Sequence, residues 1–442
     1  MMQSSKKIKS QKRTYLDHAA TTSTDTRVVR AMQPFFSKMY GNPSSLYADG
    51  RMAKEALQKA RSSIATILGA RPEEIIFTGS GTESDALAIL GVMRAYSGKH
   101  MITDTIEHHA VLYNAELLEK EGFPVTYLPV DAEGFVDIKK LVVAVRPDTV
   151  LISIMYANNE IGTIQPIAEI AKLVRRIRKE RIISGNETPI WLHTDACQAA
   201  GYLDVNIERL GVDLLTLNGS KIYGPKGMGV LYRRRGVKIA PLWLGGGQEQ
   251  KLRSGTENIA GIVGIARALE IAQSHKDGEN KRLSKLRDYF IREVFARIPK
   301  IVLNGPEGER RLSNNVNISI LDIEGEAMLL YLDAYGIEAS TGSACDSATL
   351  DPSHVILGIG RPYEFAHASM RFTLGRATTK KDLDYVLQVM PGIVEKLRKI
   401  SPINLDMNAT QMSHASAFAG QGLPHWEKKR GTKLKTPSPK AQ

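Results

Sequence analysis

Short apolar runs alternate with helical patterns between residues 45 and 217, and this alternation constrains the fold more than any other feature of the chain. Strands are predicted at 74–78, 101–103, 125–130, 150–156, 190–194 and 212–217. Helices are predicted at 45–69, 86–96, 110–120, 138–145 and 167–179. Because parallel strands need crossover helices and are buried on both faces, the pattern predicts an α/β domain with a mainly parallel sheet.

The pattern changes after residue 258. Helices are predicted at 259–274, 283–297, 324–335 and 381–400, and strands at 301–303, 315–321 and 369–374. This mixture predicts a second, smaller α+β domain. We therefore expect four parts, namely a disordered basic tail at 1–13, a large domain at 14–260, a small domain at 261–405 and a divergent basic tail at 406–442.

The composition of the chain is that of a globular protein and argues against a membrane protein or a disulfide-rich secreted protein. The chain has 442 residues, of which 43% are hydrophobic and 24% charged, as is usual for globular proteins. No apolar run approaches the roughly 18 residues that a membrane span needs, and we expect no secretory signal in the polar N-terminus. Only two cysteines occur, so a disulfide framework is excluded and a cytoplasmic location is expected.

The net charge of +12 is concentrated at the two ends of the chain. Residues 1–13 carry five cations and no acid, and residues 425–442 carry six cations and one acid. The body between them is therefore close to neutral. Such tails are typical of solvated ends, and weak contact with RNA or an acidic partner is the alternative.

Polar clusters follow five of the predicted strands. They lie at 79–84, 107–108, 158–160, 195–198 and 221. Loops at the carboxyl ends of parallel strands form the ligand crevice of such sheets. The first cluster is rich in glycine and hydroxyls and precedes a helix, which is the arrangement that binds phosphate through backbone N–H groups.

Lys221 follows the predicted buried strand at 212–217 and then enters a turn that contains Gly224, Pro225 and Gly227. Such a turn holds the amine in one place. A partly desolvated lysine loses its proton more easily and can then attack an aldehyde. Lys221 is therefore a candidate to carry pyridoxal phosphate (PLP) as a Schiff base, the alternative being an ordinary solvated lysine.

The other strand-end clusters offer what PLP also requires. The cofactor needs an anion near its pyridine nitrogen, a donor to its phenolic oxygen, a phosphate site and a flat group over its ring. Asp195 is the carboxylate candidate, Gln198 and Asn159 are the donor candidates, and His108 can stack and move protons. Each residue alone is more simply explained as a loop or cap residue, so the argument depends on their joint placement.

These motifs resemble the cysteine desulfurases, which are PLP enzymes of fold type I that supply sulfur to iron–sulfur cluster assembly and tRNA thiolation. The resemblance covers about residues 15–402, nearly the whole chain. Its most specific blocks are at 15–22, 41–44, 81–84, 107–108, 158–162, 221–227, 245–249, 253–256, 342–345 and 370–372. The long loop around Cys345 is similar to that of the housekeeping and nitrogen-fixation subgroup.

The resemblance implies a fold, a reaction and partners. The fold is a PLP-dependent transferase of fold type I, in which a mainly parallel seven-stranded sheet has helices on both faces and a smaller α+β domain follows. The reaction removes sulfur from L-cysteine, leaving L-alanine and a persulfide on Cys345. The expected partners are L-cysteine, a second copy of the chain in a homodimer, and an iron–sulfur scaffold protein or a sulfur-relay or tRNA-thiolation acceptor, with no stable nucleic acid and no membrane.

The resemblance also assigns roles to residues. Lys221, His108 and Cys345 are implied to be catalytic. Asn42 and Arg371 are implied to bind the substrate, for which the planar guanidinium suits a carboxylate. The implied cofactor-binding residues are Gly81, Thr82, Asn159, Asp195, Gln198, Asn218, Ser220, Lys221 and Thr256, the last from the neighbouring subunit. No resident metal is expected, and Cys345 is at most a transient ligand to an iron–sulfur cluster.

The two cysteines are expected to differ. Small residues at 342–344 precede Cys345 and would let its thiol move between the cofactor and an acceptor. Cys197, between Asp195 and Gln198, is expected to pack beside the cofactor without reacting. Asp346, which follows the nucleophile, departs from the family's uncharged hydroxyl, and we expect its charge to disfavour the thiolate.

Two other departures lie beside the lysine. The family usually has a histidine before it and a hydroxyl residue two positions earlier still, where this chain has Ser220 and Asn218. Both side chains can donate to a phosphate, so we expect binding to survive. The divergent C-terminus leaves the choice of acceptor open.

Other functions remain open at this point. A related aminotransferase-like or selenocysteine-cleaving enzyme would keep the cofactor residues but would not need the Cys345 loop. A non-catalytic scaffold would be expected to lose Lys221, His108 or Cys345, and all three are present. A nucleic-acid-binding role would rest on the basic tails alone, without interleaved aromatic residues.

Overall fold

A twisted sheet and its flanking helices occupy most of the computed structural model, which describes residues 13–342 and 352–401. The strands of the described residues are β1 (Thr14–Tyr15), β2 (Ile75–Thr78), β3 (His100–Asp104), β4 (Val125–Leu128), β5 (Thr149–Ser153), β6 (Trp191–Asp195), β7 (Leu214–Asn218), β8 (Gly229–Arg233), β9 (Ile301–Leu303), β10 (Asn315–Ile320), β11 (Ile337–Glu338) and β12 (Ser369–Thr373). The helices are α1 (Thr26–Met32), α2 (Pro34–Ser37), α3 (Ala48–Leu68), α4 (Gly81–Ala95), α5 (His109–Lys120), α6 (Ile138–Ala144), α7 (Ile167–Ile183), α8 (Ile207–Leu210), α9 (Ile259–Arg297), α10 (Gly325–Ala334), α11 (His354–Gly358), α12 (Tyr363–His367) and α13 (Lys380–Ile400). Cys345 and Asp346 lie outside the described residues, as do most of the two basic tails.

The predicted seven-stranded, mainly parallel sheet is confirmed. Its strand order is β2-β8-β7-β6-β5-β3-β4, and β8 alone runs antiparallel to its neighbours. Strands β2, β3, β5 and most of β6 and β7 are buried along their length, as apolar strands covered by helices on both faces must be. The α/β fold class follows from this arrangement.

Strand β8 was not predicted. It returns directly from β7 through the lysine turn, so that Asn218 pairs with Gly229 at the start of the antiparallel ladder. No crossover helix separates the two strands, and a pattern that requires alternating strands and helices therefore misses β8.

The two helices predicted at 259–274 and 283–297 are one helix, α9, and this prediction was wrong. The polar stretch between them contains Gly278, which suggested a break. Its side chains are instead used in tertiary contacts. Asn280 donates to the backbone oxygen of Tyr202, and Arg282 donates to the backbone oxygens of Gly375 and Thr378. These contacts explain why the helix continues through a segment of low apolar content.

A second, three-stranded antiparallel sheet has the order β12-β10-β9, and β1 pairs in parallel with β11. The described residues all fall within one compact unit. Helix α9 runs across the predicted boundary at 260/261, and the division into a large and a small domain stays a prediction. Across the described ranges, the helices lack the combination of length and apolar character that crossing a bilayer requires.

The sheet brings five loops to one edge. Strands β3, β5, β6 and β7 are parallel, and β2 has the same direction because it and β7 both pair antiparallel with β8. Their carboxyl ends are Asp104, Ser153, Asp195, Asn218 and Thr78. The polar clusters that follow these strands therefore meet along this edge.

Candidate active site

Lys221 lies on a short 3-10 turn, Gly219–Lys221, immediately after β7. Its ammonium Nζ donates to the backbone oxygen of Ala20 at 2.5 Å. The N-terminal segment is fixed over this turn, because Thr22 donates from its backbone N–H and its hydroxyl to the backbone oxygen of Ser220, at 2.9 and 2.8 Å. The amine is therefore half-buried and held at the edge of the sheet.

Asp195 ends β6 and is 7% exposed. Its Oδ1 accepts from the backbone N–H of Cys197 at 2.8 Å. Gln198 donates from Nε2 to the backbone oxygen of Ala19 at 2.9 Å, one residue before the oxygen that Lys221 contacts. The carboxylate, the amide and the lysine therefore share one wall of the site.

Burial raises the pKa of the Cys197 thiol well above its usual value, and the nearby Asp195 carboxylate adds to the effect. A thiol in this position is protonated at neutral pH and is a poor nucleophile. Cys197 thus has the packed position that the sequence predicts for it.

His108 is the N-cap of α5, and its Nδ1 accepts from the backbone N–H of Ala110 at 3.1 Å. Burial lowers its pKa to about 4. The charge of Asp195 acts against this shift and that of Lys221 adds to it, which is possible only because the three groups lie close together. At neutral pH the ring is neutral and, with Nδ1 accepting, carries its proton on Nε2.

The glycine loop after β2 opens helix α4. Ser80 caps the helix, its Oγ accepting from the backbone N–H of Glu83 at 3.1 Å. A Cβ atom on Gly81 would lie 2.7 Å from Cys197 Sγ and 3.2 Å from Asn218 Cβ, so only glycine fits at this contact. Exposed Thr82 is the second residue of the helix. The helix therefore presents its first N–H groups beside the ends of β6 and β7.

Asn218 and Ser220 complete this corner. Asn218 Oδ1 accepts from both the backbone N–H and the hydroxyl of Ser220, each at 3.0 Å. Its side chain also lies against Gly81. The side chains of Asn218 and Ser220 thus lie beside the N-terminus of α4, and together these groups offer donors that suit a phosphate group.

The site fits PLP. The described residues bring together a half-buried lysine, a buried carboxylate, a neutral imidazole and an anion-binding helix end. In addition, Asn159 has a buried Oδ1 atom that has no hydrogen-bond partner within the described part of the chain. A buried polar group without a partner is costly unless a ligand supplies one. The amine, the carboxylate, the imidazole and the helix end therefore match the groups that this cofactor requires, and the Asn159 oxygen is left to accept from a donor on a ligand.

Arg371 projects from β12 and is 2% exposed. It donates to Asp17 Oδ1 at 2.9 Å, to the backbone oxygen of Asn159 at 3.1 Å and to that of Gly342 at 3.4 Å. The guanidinium thus lies next to the predicted cofactor residue Asn159. Its assignment to the substrate carboxylate stays a prediction.

Two other predicted residues are exposed. Asn42 is exposed and its Oδ1 accepts from the backbone N–H of Ser44 within its own turn. Thr256 is exposed on the segment that precedes α9. Their assignment to substrate and to the neighbouring subunit's phosphate stays a prediction, and so does the role of Cys345, which lies outside the described residues.

Sequence reasoning missed two acids beside the site. Asp85 on α4 is fully buried, and its Oδ1 lies 3.6 Å from His193 Nε2. Burial raises the pKa of Asp85 well above its usual value, and the charge of Asp195 contributes. The signal available in the sequence was an acid inside an otherwise apolar helix. The second missed residue is Asp17, the ion-pair partner of Arg371, which lies in the distinctive block at 15–22.

Groups of three or more His, Cys, Asp or Glu side chains arranged to hold a metal ion are not found within 13–342 and 352–401.

Comparison with known proteins agrees with this geometry. The chain matches the family model for class-V aminotransferases over residues 14–386. The cysteine desulfurase IscS of Dictyoglomus turgidum is 53% identical over 401 residues, which cover 90% of this chain and 99% of that protein. The IscS of Methanosarcina thermophila is 50% identical over 394 residues, covering 89% and 94%.

Solved structures show the same likeness. A NifS-like protein superposes with a TM-score of 0.79 at 36% identity, covering 87% of this chain and all of that one. SspA, solved in complex with cysteine, superposes with a TM-score of 0.69 at 34% identity, covering 82% and 98%. The chain therefore belongs to the class-V aminotransferase family, among the relatives of the cysteine desulfurases.

Proposed function

We propose that this protein is a PLP-dependent cysteine desulfurase, a sulfurtransferase that converts L-cysteine to L-alanine and passes the sulfur atom to Cys345 as a persulfide. The observation that carries the proposal is the meeting of Lys221, His108 and Asp195 at the carboxyl edge of the sheet. The family membership and the identity with named cysteine desulfurases support the same activity.

PLP supplies an electron sink to the bonds around the substrate's α-carbon when it is bound. Lys221 would hold it, since its amine is half-buried and directed by one backbone oxygen. His108 would take part through Nε2, which carries the proton of the neutral ring, because Nδ1 accepts from the backbone N–H of Ala110. Lys221 and His108 are thus the two groups that we assign to proton transfer.

The remaining cofactor contacts would be made by residues at the same carboxyl edge of the sheet. Asp195 would lie at the pyridine nitrogen, and Gln198 and Asn159 would hold the phenolic oxygen. The phosphate would be bound by Gly81, Thr82, Asn218 and Ser220, where α4 begins. Where the family has a histidine that donates to the phosphate, this chain has Ser220. The hydroxyl of Ser220 contacts Asn218, which supports the proposal that these two side chains bind the phosphate instead.

Arg371 would bind the substrate carboxylate, with Asn42 assisting. The arginine is supported by its burial and by its contact with the backbone of Asn159. Cys345 would accept the sulfur and act as a transient ligand when sulfur passes to a cluster. The described residues on either side support this role, since Gly342 accepts from Arg371 and Ser353 donates to Glu160, which follows Asn159 in the chain.

Partners follow from the activity. We propose L-cysteine as substrate, a homodimer in which Thr256 reaches the phosphate of the neighbouring site, and an acceptor that is an iron–sulfur scaffold or a protein of a sulfur-relay or tRNA-thiolation system. The exposure of Thr256 is compatible with a contact outside its own subunit. A cytoplasmic location also stays a prediction.

The test uses the purified protein loaded with PLP. We expect visible absorption of the bound cofactor that is lost in Lys221→Ala, and release of alanine and sulfide from L-cysteine in the presence of a thiol reductant. Cys345→Ser should retain the absorption and lose both products. Equal alanine release by Cys345→Ser and the unaltered protein would instead indicate the aminotransferase-like or selenocysteine-cleaving alternative.

A further inference from the structure

Tyr223 lies two residues after Lys221 and has a backbone conformation that few residues other than glycine adopt. Its φ is 61°, in the left-handed region. A non-glycine residue in that region costs free energy and persists only where its surroundings hold it, and such residues concentrate at functional sites. Tyr223 is also buried, at 9% exposure, so protein groups surround it. Its contacts therefore show what the strained turn is fixed against.

Two backbone hydrogen bonds fix Tyr223 to the N-terminal segment. Its N–H donates to Thr22 Oγ1 at 2.8 Å, and its backbone oxygen accepts from the N–H of Asp25 at 2.9 Å. Two residues before Thr22, the backbone oxygen of Ala20 accepts from the amine of Lys221 at 2.5 Å. The amine and the strained residue are therefore held by the same short segment of chain.

The side chain of Tyr223 contacts Arg376 in two ways. The Tyr223 hydroxyl accepts from the backbone N–H of Arg376 at 2.8 Å, and the guanidinium carbon lies 4.1 Å from the centre of the tyrosine ring. A cation over an aromatic face is attracted by the quadrupole of the ring. The same guanidinium donates to Asp25 Oδ2 at 3.1 Å. Since Asp25 in turn donates to the backbone of Tyr223, these three residues form a closed ring of contacts.

Arg376 follows β12, the strand that carries Arg371. The last residue of β12, Thr373, is fixed in turn, because its backbone N–H donates to the backbone oxygen of Leu16 at 2.7 Å. The two residues between Thr373 and Arg376 are buried. The ring of contacts therefore joins the turn that carries Lys221 to the strand that carries Arg371.

We infer that Tyr223 is a positioning residue that, through Arg376, holds the amine of Lys221 in a fixed place relative to Arg371. The inference rests on the proposed function, in which Lys221 holds the cofactor and Arg371 binds the substrate carboxylate. These two groups must then act on one substrate molecule, and a small misplacement of reacting groups can cost about a hundredfold in rate. A strained residue that is fixed on both sides keeps that separation constant from one turnover to the next.

The test compares Tyr223→Gly with Tyr223→Phe in the protein loaded with PLP. Glycine adopts the left-handed conformation without strain and removes the side-chain contacts, whereas phenylalanine keeps the ring beside Arg376 and loses the hydroxyl. We expect Tyr223→Gly to lower kcat for alanine formation by about tenfold to a hundredfold. KM for L-cysteine should stay within about threefold, because Arg371 keeps its own hydrogen bonds. Tyr223→Phe should lower kcat by less than about threefold.

Lys300→Gly is the matched control. Lys300 also has a positive φ, of 54°, and its side chain pairs with Asp322, but it lies in the turn between α9 and β9. Its replacement likewise relieves strain and adds freedom to the unfolded chain. We expect kcat and KM to stay within about threefold of those of the unaltered protein. An unchanged kcat in Tyr223→Gly, or equal losses of kcat in Tyr223→Gly and Lys300→Gly, would overturn the inference.

A second measurement does not depend on activity. Hydrogen exchange of peptides that cover 219–225 and 374–378, corrected for the intrinsic rate of each sequence, should be about tenfold faster in Tyr223→Gly than in the unaltered protein. The reason is that the hydrogen bond and the ring contact between the two segments are lost. Exchange in β5, at 149–153, should not change. Unchanged exchange in both of the first two peptides would overturn the inference.

If Tyr223→Gly does not fold, Arg376→Met decides, since it removes the guanidinium and leaves Tyr223 in place. A loss of kcat of about tenfold with little change in KM supports the inference, and an unchanged kcat refutes it. If the unaltered protein forms no alanine, the proposed function fails. The exchange rates at 219–225 and 374–378 then still show whether Tyr223 holds the two segments together, and unchanged rates would overturn that part as well.

Discussion

Arg371 and Asp17 form an ion pair of 2.9 Å in which the arginine side chain is 3% exposed and the aspartate side chain 16%. The guanidinium also donates to the backbone oxygens of Asn159 and Gly342, and its Nε lacks a partner within the described residues. Because Asp17 and these two carbonyls already hold the group in place, a substrate carboxylate would meet a preoriented guanidinium. Orientation before binding reduces the entropy lost when the substrate binds.

The first prediction concerns Arg371→Lys. Lysine keeps the charge but loses the planar fork and cannot contact Asp17, Asn159 and a substrate carboxylate together. We expect KM for L-cysteine to rise by about tenfold to a hundredfold, with a smaller change in kcat. Steady-state alanine formation measures both constants. Arg94→Lys, in an exposed ion pair with Glu121, is the matched control and should leave KM unchanged.

Asp17→Ala should destabilise the protein through the arginine that it leaves behind. Removing one partner of a buried pair leaves an uncompensated charge and costs about 3 kcal/mol. The free energy of unfolding in urea is the quantity to measure. The double variant Asp17→Ala/Arg371→Met should recover part of the loss, since it also removes the charge; an equal or greater loss in the double variant would argue against this explanation.

The sequence predicted the parallel strands of the sheet, and grouped candidate cofactor residues at one edge of it, for a physical reason. Local apolar patterns identify strands and helices, and parallel strands align their carboxyl ends. Lys221, Asp195 and His108 could therefore be grouped before their distances were known. The lysine could be assigned a function because its turn follows a strand directly.

The parts that were missed depend on contacts between distant segments. Asp17 pairs with Arg371 across 354 positions, and Glu160 meets Ser353 across 193. Nothing in the local spacing of these residues indicates their partners. The long helix α9 was missed for a similar reason, because the contacts of Arg282 with 375–378 support a segment whose own composition suggests a break.

Stability should fall in acid partly through His100. Burial lowers the pKa of its imidazole to about 4, and both ring nitrogens are hydrogen-bonded, to the hydroxyls of Thr149 and Thr126. Since the folded pKa is below the unfolded value of about 6.5, the unfolded chain binds the proton more readily. The neutral imidazole therefore contributes to the free energy of unfolding above the unfolded-state pKa. This contribution is lost as the pH falls through the folded-state pKa.

His100→Gln can keep hydrogen bonds to the two threonines but does not titrate. We expect the difference in the free energy of unfolding between about pH 7.5 and about pH 4.5 to be smaller in this variant than in the unaltered protein. Urea titrations at the two pH values give the difference. The same pH dependence in both proteins would show that His100 is not among the groups responsible.

Thiol labelling should distinguish native from unfolded protein at Cys197. Its pKa is raised by burial and by Asp195, so the thiolate is scarce and shielded. We expect iodoacetamide to leave Cys197 unmodified in the native protein and to modify it in urea. Mass spectrometry of the peptide that contains residue 197 reports the outcome, and rapid labelling without denaturant would contradict the buried position.

The last prediction concerns a buried ion pair next to a strained segment. Arg61 binds both carboxylate oxygens of Glu249, at 2.5 and 3.0 Å, and Glu249 Oε2 also accepts from the backbone N–H of Phe77 at 2.8 Å. Glu249, Gln250 and Lys251 all have positive φ values, of 42°, 60° and 64°. Non-glycine residues pay for such conformations, so neighbouring contacts must hold them.

Glu249→Ala removes that support and leaves Arg61 buried without its counter-ion. We expect the free energy of unfolding to fall by about 3 kcal/mol, and proteolysis near 249–251 to become faster as the strain relaxes. Glu133→Ala is the matched control, because Glu133 pairs with Arg310 at the surface and its loss should cost less than about 1 kcal/mol. An equal decrease in the free energy of unfolding in the two variants would mean that the buried Arg61–Glu249 pair contributes no more to stability than an ion pair at the surface.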